Sequence, residues 1–255
     1  MKKTVKLLMS ISLCMCMIMT LFSFNIQAAD NDNVQLYYAN VEGYYGNGGY
    51  WAAGKIAVKD LGENKNVVVH YTTDGDTWND VSATYLKKAN DGYDIYTFET
   101  PMMKWNGFHY YKYNWSFAIK YEVNGNTYWD NNNGQNYSIN TSNFEHCQGI
   151  VLGKCKLLAG SSYKDVNNIF HGDVMIKDYD PNKIVTVRYT TDSWETYKEV
   201  RAYKSSYQRY NDMESWTFDI NEDAEVYEYV LKCEINGQTY WDNNFGDNYI
   251  YTNPF

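Results

Sequence analysis

Residues 124–137 read NGNTYWDNNNGQNY, and residues 236–249 read NGQTYWDNNFGDNY. A second shared pair lies upstream: VHYTTDGDTW ending at Trp78, and VRYTTDSW ending at Trp194. Two strings in the same order, about 115 residues apart, mark an internal duplication. The chain is therefore two copies of one domain, and a site built on these strings exists twice. The Asn-Gly pairs at 124–125 and 236–237 stand between an apolar alternation and Thr-Tyr-Trp, which is a strong hairpin signal. Alternation recurs at 55–59, 67–71 and 117–123, and again at 173–177, 185–189 and 227–235. Three prolines, abundant Tyr, Val, Ile and Thr, and no sustained helical period predict an all-β sandwich in each copy.

Residues 1–29 stand apart. Lys2, Lys3 and Lys6 precede a nearly uncharged apolar run at 7–24, and the small residues Ala28 and Ala29 precede Asp30. That pattern is a cleaved signal peptide; the Ala-Ala site argues against the rival reading, a membrane anchor. The expected organisation is 1–29 leader, 30–143 first module and 144–255 second module, secreted or held at an extracellular surface. Loss of the three leader lysines takes the net charge from −9 to −12. So acidic a chain is not expected to bind nucleic acid or an anionic membrane through bulk charge. Beyond the leader remain Cys147, Cys155 and Cys233, too few and too scattered for a disulfide framework or a zinc site. A Cys155–Cys233 bond stays open, with free buried thiols as the alternative.

No catalytic set is visible: no glycine-elbow serine, no HExxH, no phosphate-cradling loop. His70, His109, His146 and His171 fall at unrelated positions, and none is shared by both copies. No cofactor is expected and no metal ligands are assigned; the Asp/Asn-rich turns leave calcium open, although no EF-hand-type loop is present. The excess is aromatic, with 27 Tyr and 8 Trp. Flat rings cover the apolar C–H faces of neutral sugars, and carboxamides both donate to and accept from their hydroxyls. Trp-Asp-Asn-Asn offers both within four residues. The alternative is that Trp129 and Trp241 are core residues and the asparagines only form turns. Trp78 and Trp194, in polar Thr/Asp settings, favour surface rings.

Gly54 to Asp60, Val67 to Trp78, Tyr96 to Phe98 and Lys120 to Tyr137, with their second-copy equivalents, resemble family-21 carbohydrate-binding modules. These are the starch-binding domains of glucoamylases and the glycogen-binding domains of protein phosphatase 1 targeting subunits; family-53 modules are similar. The resemblance covers nearly the whole chain beyond the leader. It implies two tandem immunoglobulin-like β-sandwich domains that bind α-1,4-linked glucan. It places the principal site at Trp78 and Trp129 with Asn131 and Asn132, and at Trp194 and Trp241 with Asn243 and Asn244. A third aromatic of that site is replaced here by Ala118 and Val230. The family's second site is matched by Tyr85 and Tyr93 in the first copy, where Glu63 replaces the third tyrosine. In the second copy only Tyr203 matches.

The expected function is non-catalytic, bivalent binding of starch, glycogen or maltooligosaccharides. Its partners would be α-glucan and a secreted amylase or cell-surface complex. Rival functions are an accessory or fragment of a starch-degrading enzyme, and an adhesin with a protein partner. A phosphatase-targeting role would need a basic-[VI]-x-[FW] docking string. Residues 55–58 and 183–187 do not end in Phe or Trp.

Overall fold

The computed structural model describes residues 32–43, 48–104, 113–141, 149–177, 181–205 and 213–252. The leader, Cys147, His109, His146 and most of the connection between the copies lie outside the described residues. The first copy comprises β1 (Val34–Gly43), β2 (Gly49–Lys59), β3 (Asn66–Thr72), β4 (Asn79–Ser82), β5 (Thr84–Lys88), β6 (Tyr93–Glu99), β7 (Met103–Lys104), β8 (Asn114–Val123), β9 (Asn126–Asp130) and β10 (Tyr137–Asn140). Then come β11 (Ile150–Leu152), β12 (Leu157–Lys164), β13 (Phe170–Lys177), β14 (Ile184–Thr190) and β15 (Lys198–Arg201). The chain continues through β16 (Tyr203–Lys204), β17 (Met213–Ile220), β18 (Val226–Ile235), β19 (Gln238–Asp242) and β20 (Tyr249–Thr252).

Each copy is a sandwich of two sheets. In the first, β11-β1-β2-β6-β5, with β7 on β2, faces β10-β8-β3-β4, with β9 also on β8. In the second, β12-β13-β17-β16 faces β15-β14-β18-β19, with β20 on β18. The hairpins β8–β9 and β18–β19 turn through Asn124-Gly125 and Asn236-Gly237. All four residues have positive φ (51°, 77°, 51° and 75°), as the predicted turn requires.

Period-2 patterning decides what is inside. Phe98, Phe117, Ile119, Trp115 and Tyr121 close the first core; Phe170, Phe218, Val187, Tyr227 and Leu231 close the second. The shared glycines serve this packing. A Cβ at Gly54 would collide with the Tyr38 carbonyl oxygen and the Phe98 ring, and one at Gly172 with the Phe218 ring. Cys155 and Cys233 are both free and buried, in separate clusters, so the open disulfide is not formed.

Two features depart from the expected organisation. First, β11 pairs with β1, so residues 150–152 complete the first copy's sheet although the repeat assigns them to the second. Second, the modules pack on one another. Phe245, from the second copy's repeated loop, joins Ala57, Ala89 and Ile95 on the outer face of the first copy's sheet and lies 4.4 Å from the Tyr37 ring. Leu152, Cys155 and Met213 form a further apolar cluster at the junction. Lys87–Asp247 (2.6 Å) and Lys154–Asp91 (2.8 Å) flank the contact.

An ion pair, invisible in the strings, recurs in both copies, part-buried in the first and buried in the second. Lys65 meets Asp94 at 2.5 Å, and Lys183 meets Glu214 at 2.7 Å. Burial pushes the Glu214 carboxyl up, but Lys183, Lys204 and the Trp216 indole N–H outweigh it and hold the group at about 2. Substituting Glu214→Gln removes this carboxylate from beside the Lys183 ammonium, whose side chain is fully buried. The expected loss in urea titration is about 3–5 kcal/mol. A loss below about 1 kcal/mol would mean that water reaches Lys183 and that the pair does not hold the sheets.

Candidate functional site: aromatic pairs bridged by a cation-capable residue

The loop between β9 and β10 is fixed by one carboxylate. Asp130 accepts the Leu36 amide (2.6 Å) and the Asn132 amide (3.3 Å), and the Tyr137 hydroxyl lies 2.9 and 2.8 Å from its two oxygens. The Leu36 amide reaches it where β1 shifts register between Leu36 and Tyr38. The asparagines complete the loop. Asn131 Oδ1 accepts from the Gly134 amide (2.9 Å), and Asn132 Nδ2 donates to the Asn136 carbonyl (3.1 Å). Asn243 and Asn244 repeat both bonds toward Gly246 and Asn248 (3.0 and 3.1 Å). Each pair thus commits one carbonyl oxygen and one NH2 group to the turn. The Asn131 NH2 and the Asn132 carbonyl oxygen stay unengaged among the described residues. Asn132, Asn133 and Asn136 take φ of 52°, 58° and 58°, which asparagine tolerates well.

Beside this loop, Trp78 and Trp129 are brought together through a residue that reading the strings passed over. The His70 ring stacks on Trp78 (4.7 Å, 13°) and meets Trp129 edge-on (6.1 Å, 79°); its Nδ1 lies 2.6 Å from Asp80 Oδ1. The histidine has a counterpart after all. Arg188 occupies the same register in the second copy, bonded to Glu199 through Nε (2.9 Å) and Nη2 (2.7 Å). Its guanidinium lies 4.3 Å from the Tyr197 ring and 4.9 Å from the Trp241 ring. His70 and Arg188 pair directly across the sheet with Ala118 and Val230, the small residues at the third-aromatic position. Small residues there leave room for a planar cation-capable side chain between two rings.

The second copy's ring pair therefore differs from the expected one. His70↔Asp80 and Arg188↔Glu199 are equivalent pairings, but the second copy has one more residue between β14 and β15. The ring one position before β15 is thus Tyr197, 57 % exposed, and not Trp194. Trp194 sits in the turn with φ of 68°, its amide donating to Thr190 Oγ1 (3.1 Å). Its indole N–H is buried without a partner. Trp78 and Trp241 are exposed, whereas Trp129 is half-buried.

The residues of the second expected site do not converge. Tyr85 is exposed and meets Tyr96 edge-on at 5.6 Å, on the side of the sheet that faces the core. Tyr93 packs on the opposite face beside Ile95, and the Lys154 ammonium sits 3.1 Å over its ring. One face of that tyrosine is thus taken by the second copy's leading segment. Tyr203 pairs with Thr217, whose counterpart Thr97 pairs with Thr84, so Tyr203 is not the equivalent of Tyr85.

At the junction a cavity of about 380 Å³ is lined by Tyr37, Lys55, Asp242, Asn244, Phe245 and Tyr249, among others. Asp242 is the repeat of Asp130, but it keeps only the Tyr249 hydroxyl (2.5 Å) and the Asn244 amide (3.1 Å). Burial raises its carboxyl to about 6, despite those two donors and Lys55. Burial likewise pushes the Lys55 ammonium down. A carboxyl raised by folding favours the folded state while protonated. That contribution is complete below about pH 3.8 and disappears as the pH rises through about 6. Relative to Asp242→Asn, the parent should lose up to about 3 kcal/mol of stability between pH 4 and pH 7 in denaturant titrations. Parallel pH curves for the two proteins would sink this assignment.

The comparisons with known proteins match both copies. The family described as carbohydrate/starch-binding module (family 21) matches residues 28–140 and 148–252. Glucoamylase 1 of Rhizopus oryzae is 38 % identical over 95 residues, covering 35 % of this chain and 14 % of that protein. Human protein phosphatase 1 regulatory subunit 3B is 35 % identical over 102 residues, covering 39 % of this chain and 35 % of the subunit. The chain thus spans a minor part of both relatives. Among solved structures, the starch-binding domain of Rhizopus oryzae glucoamylase, in complex with β-cyclodextrin and maltoheptaose, is 30 % identical. It covers 44 % of this chain and 97 % of that one, with a TM-score of 0.33.

Proposed function

The chain belongs to family 21 of the carbohydrate/starch-binding modules, as two copies, and from that premise we propose that it is a secreted, non-catalytic protein that grips α-1,4-linked glucan at two sites. The observation that carries the reading is the recurrence of one arrangement. Trp78 and Trp129 flank His70 in one copy, and Tyr197 and Trp241 flank Arg188 in the other, each beside a loop of asparagines. The rings would cover the C–H faces of glucosyl units. The bridging side chain and the carboxamides would meet the hydroxyls. His70 and Arg188 are held by carboxylates, so the imidazole nitrogen and the guanidinium N–H groups left over are oriented before a sugar arrives. Export rests on the leader at residues 1–29.

A phosphatase-docking role suits the chain less well. Ile56, Val58, Val185 and Val187, which would supply the apolar anchors of such a string, are fully buried within β2 and β14. An accessory role beside a starch-degrading enzyme is consistent with the glucoamylase relative, whose similarity ends at the module.

Retention on insoluble starch, with cellulose and xylan as controls, tests the reading. Trp129→Ala and Trp241→Ala should each weaken granule binding about 10- to 100-fold, because one engaged site raises the local concentration for the other. The double variant should be retained far less than either single variant. On a maltooligosaccharide too short to reach both copies, each single variant should lose one site and leave the other unchanged. Equal retention on cellulose would overturn the reading.

Within the second copy the two aromatic candidates separate cleanly. Tyr197→Ala should cost about 1–2 kcal/mol of glucan affinity there, by the loss of one ring contact, with little effect on the melting temperature. Trp194→Ala should change stability and spare affinity. The reverse pattern would restore Trp194 as the sugar-bearing ring.

A further inference from the structure

The second copy carries on its back a row of side chains that the first copy lacks. Tyr163 on β12, His171 on β13 and Asp219 on β17 are consecutive cross-strand partners. The Tyr163 and His171 rings stack at 4.9 Å and 28°. His171 Nδ1 lies 2.6 Å from Asp219 Oδ1, and its Nε2 faces Asp165 Oδ2 at 3.5 Å. Tyr203 on the edge strand β16 donates its hydroxyl to Asp219 Oδ2 at 2.9 Å. Both tyrosines are more than half exposed, at 58 % and 53 %. All four residues stand outside the core; Phe170, Phe218 and Ile220 fill the inward positions of the same strands.

The duplication supplies an internal control. The registered counterparts in the first copy are Asn40, Ala53, Glu99 and Thr84, with no ring among them. A sandwich of this kind therefore folds without the row. The two tyrosines rise from strands three ladder spacings apart and two residues offset, about 16 Å between backbone positions. That is wider than one pyranose ring, so a ligand touching both has several linked units.

We propose that this outer face, Tyr163–His171–Asp219–Tyr203, is a further saccharide-binding site, peculiar to the second copy. It takes an α-glucan chain across the strands. The open faces of Tyr163 and Tyr203 each carry a sugar ring. His171, Asp219 and Asp165 meet the hydroxyls between them, since paired carboxylates keep lone pairs beyond those used within the row. The proposal rests on the glucan-binding reading and extends it to a face that the paired aromatic sites do not use.

The test uses the full chain and maltoheptaose, followed by calorimetry. Replacing Trp78, Trp129, Tyr197 and Trp241 by alanine removes both front platforms and should leave one binding site. Adding Tyr163→Ala should weaken that remaining site at least about tenfold, the loss of one stacked ring, while Tyr163→Phe should keep it. If the four-fold variant unfolds, Tyr163→Ala with Tyr203→Ala in the parent decides the matter, and the stoichiometry should fall by one. A parent that binds maltoheptaose with a stoichiometry indifferent to Tyr163 and Tyr203 overturns this site and leaves the front sites standing. A parent that binds no maltoheptaose overturns both readings. Loss of affinity for another protein, with maltoheptaose binding unchanged, would make the row a protein contact and likewise overturn it.

Discussion

One carboxylate holds the arrangement together. Asp130 takes the amide that the β1 register shift releases and the hydroxyl of a core tyrosine, and so ties a solvent-facing loop to the sandwich. Once that bond is made, the Trp129 side chain is placed by its strand, and one group of each asparagine amide is already committed to the turn. A sugar site needs that preorganisation. Neutral hydroxyls exchange water for protein at small net gain, so the affinity available depends on how little must be ordered on binding. The second copy keeps the same device but encloses it. Asp242 loses the strand amide and gains a lid from the first copy, and its carboxyl is raised as a result.

That enclosure sets the division of labour between the copies. The second copy's loop replaces Asn133 with Phe245, which takes a φ of 59° unusual for an aromatic residue. The ring lies against the first copy's outer sheet, over Tyr37. Strain in the backbone is offset by apolar burial in the junction. The first copy's back is covered by this contact, and the second copy's back is covered at its Met213 end but exposed at Tyr163 and Tyr203. Duplication here preserved the front of the domain twice and diversified the other side.

Much of this was legible in the sequence, and the rest failed for definable reasons. The duplicated strings, the Asn-Gly turns and the alternation gave the two sandwiches because they are local signals with fixed periods. The Trp129 and Trp241 positions followed from the same strings. His70 and Arg188 did not: their pairing exists only across strands, and their side chains differ, so matching letters could not equate them. Trp194 closes the shared Thr-Thr-Asp string two residues after Asp192, whereas Trp78 stands four after Asp74, and the ring one position before β15 is Tyr197. The Lys183–Glu214 pair is separated by 31 residues, beyond the reach of any motif. The row from Tyr163 to Tyr203 has no repeat to announce it.

The three-residue strand β11 has a consequence for the life of the chain before it is complete. Until Ile150–Leu152 emerges, β1 has an open edge with unpaired amides and carbonyls, the kind of surface on which strands of other molecules add. The first copy thus finishes its sheet only when the opening of the second is made, and the second copy's loop then covers its outer face. Each copy has its own core, but the edge of the first copy's sheet is paired by the segment that opens its successor. A cut at the repeat boundary would therefore divide a sheet, and the apparent unit of sequence is shorter than the unit of folding.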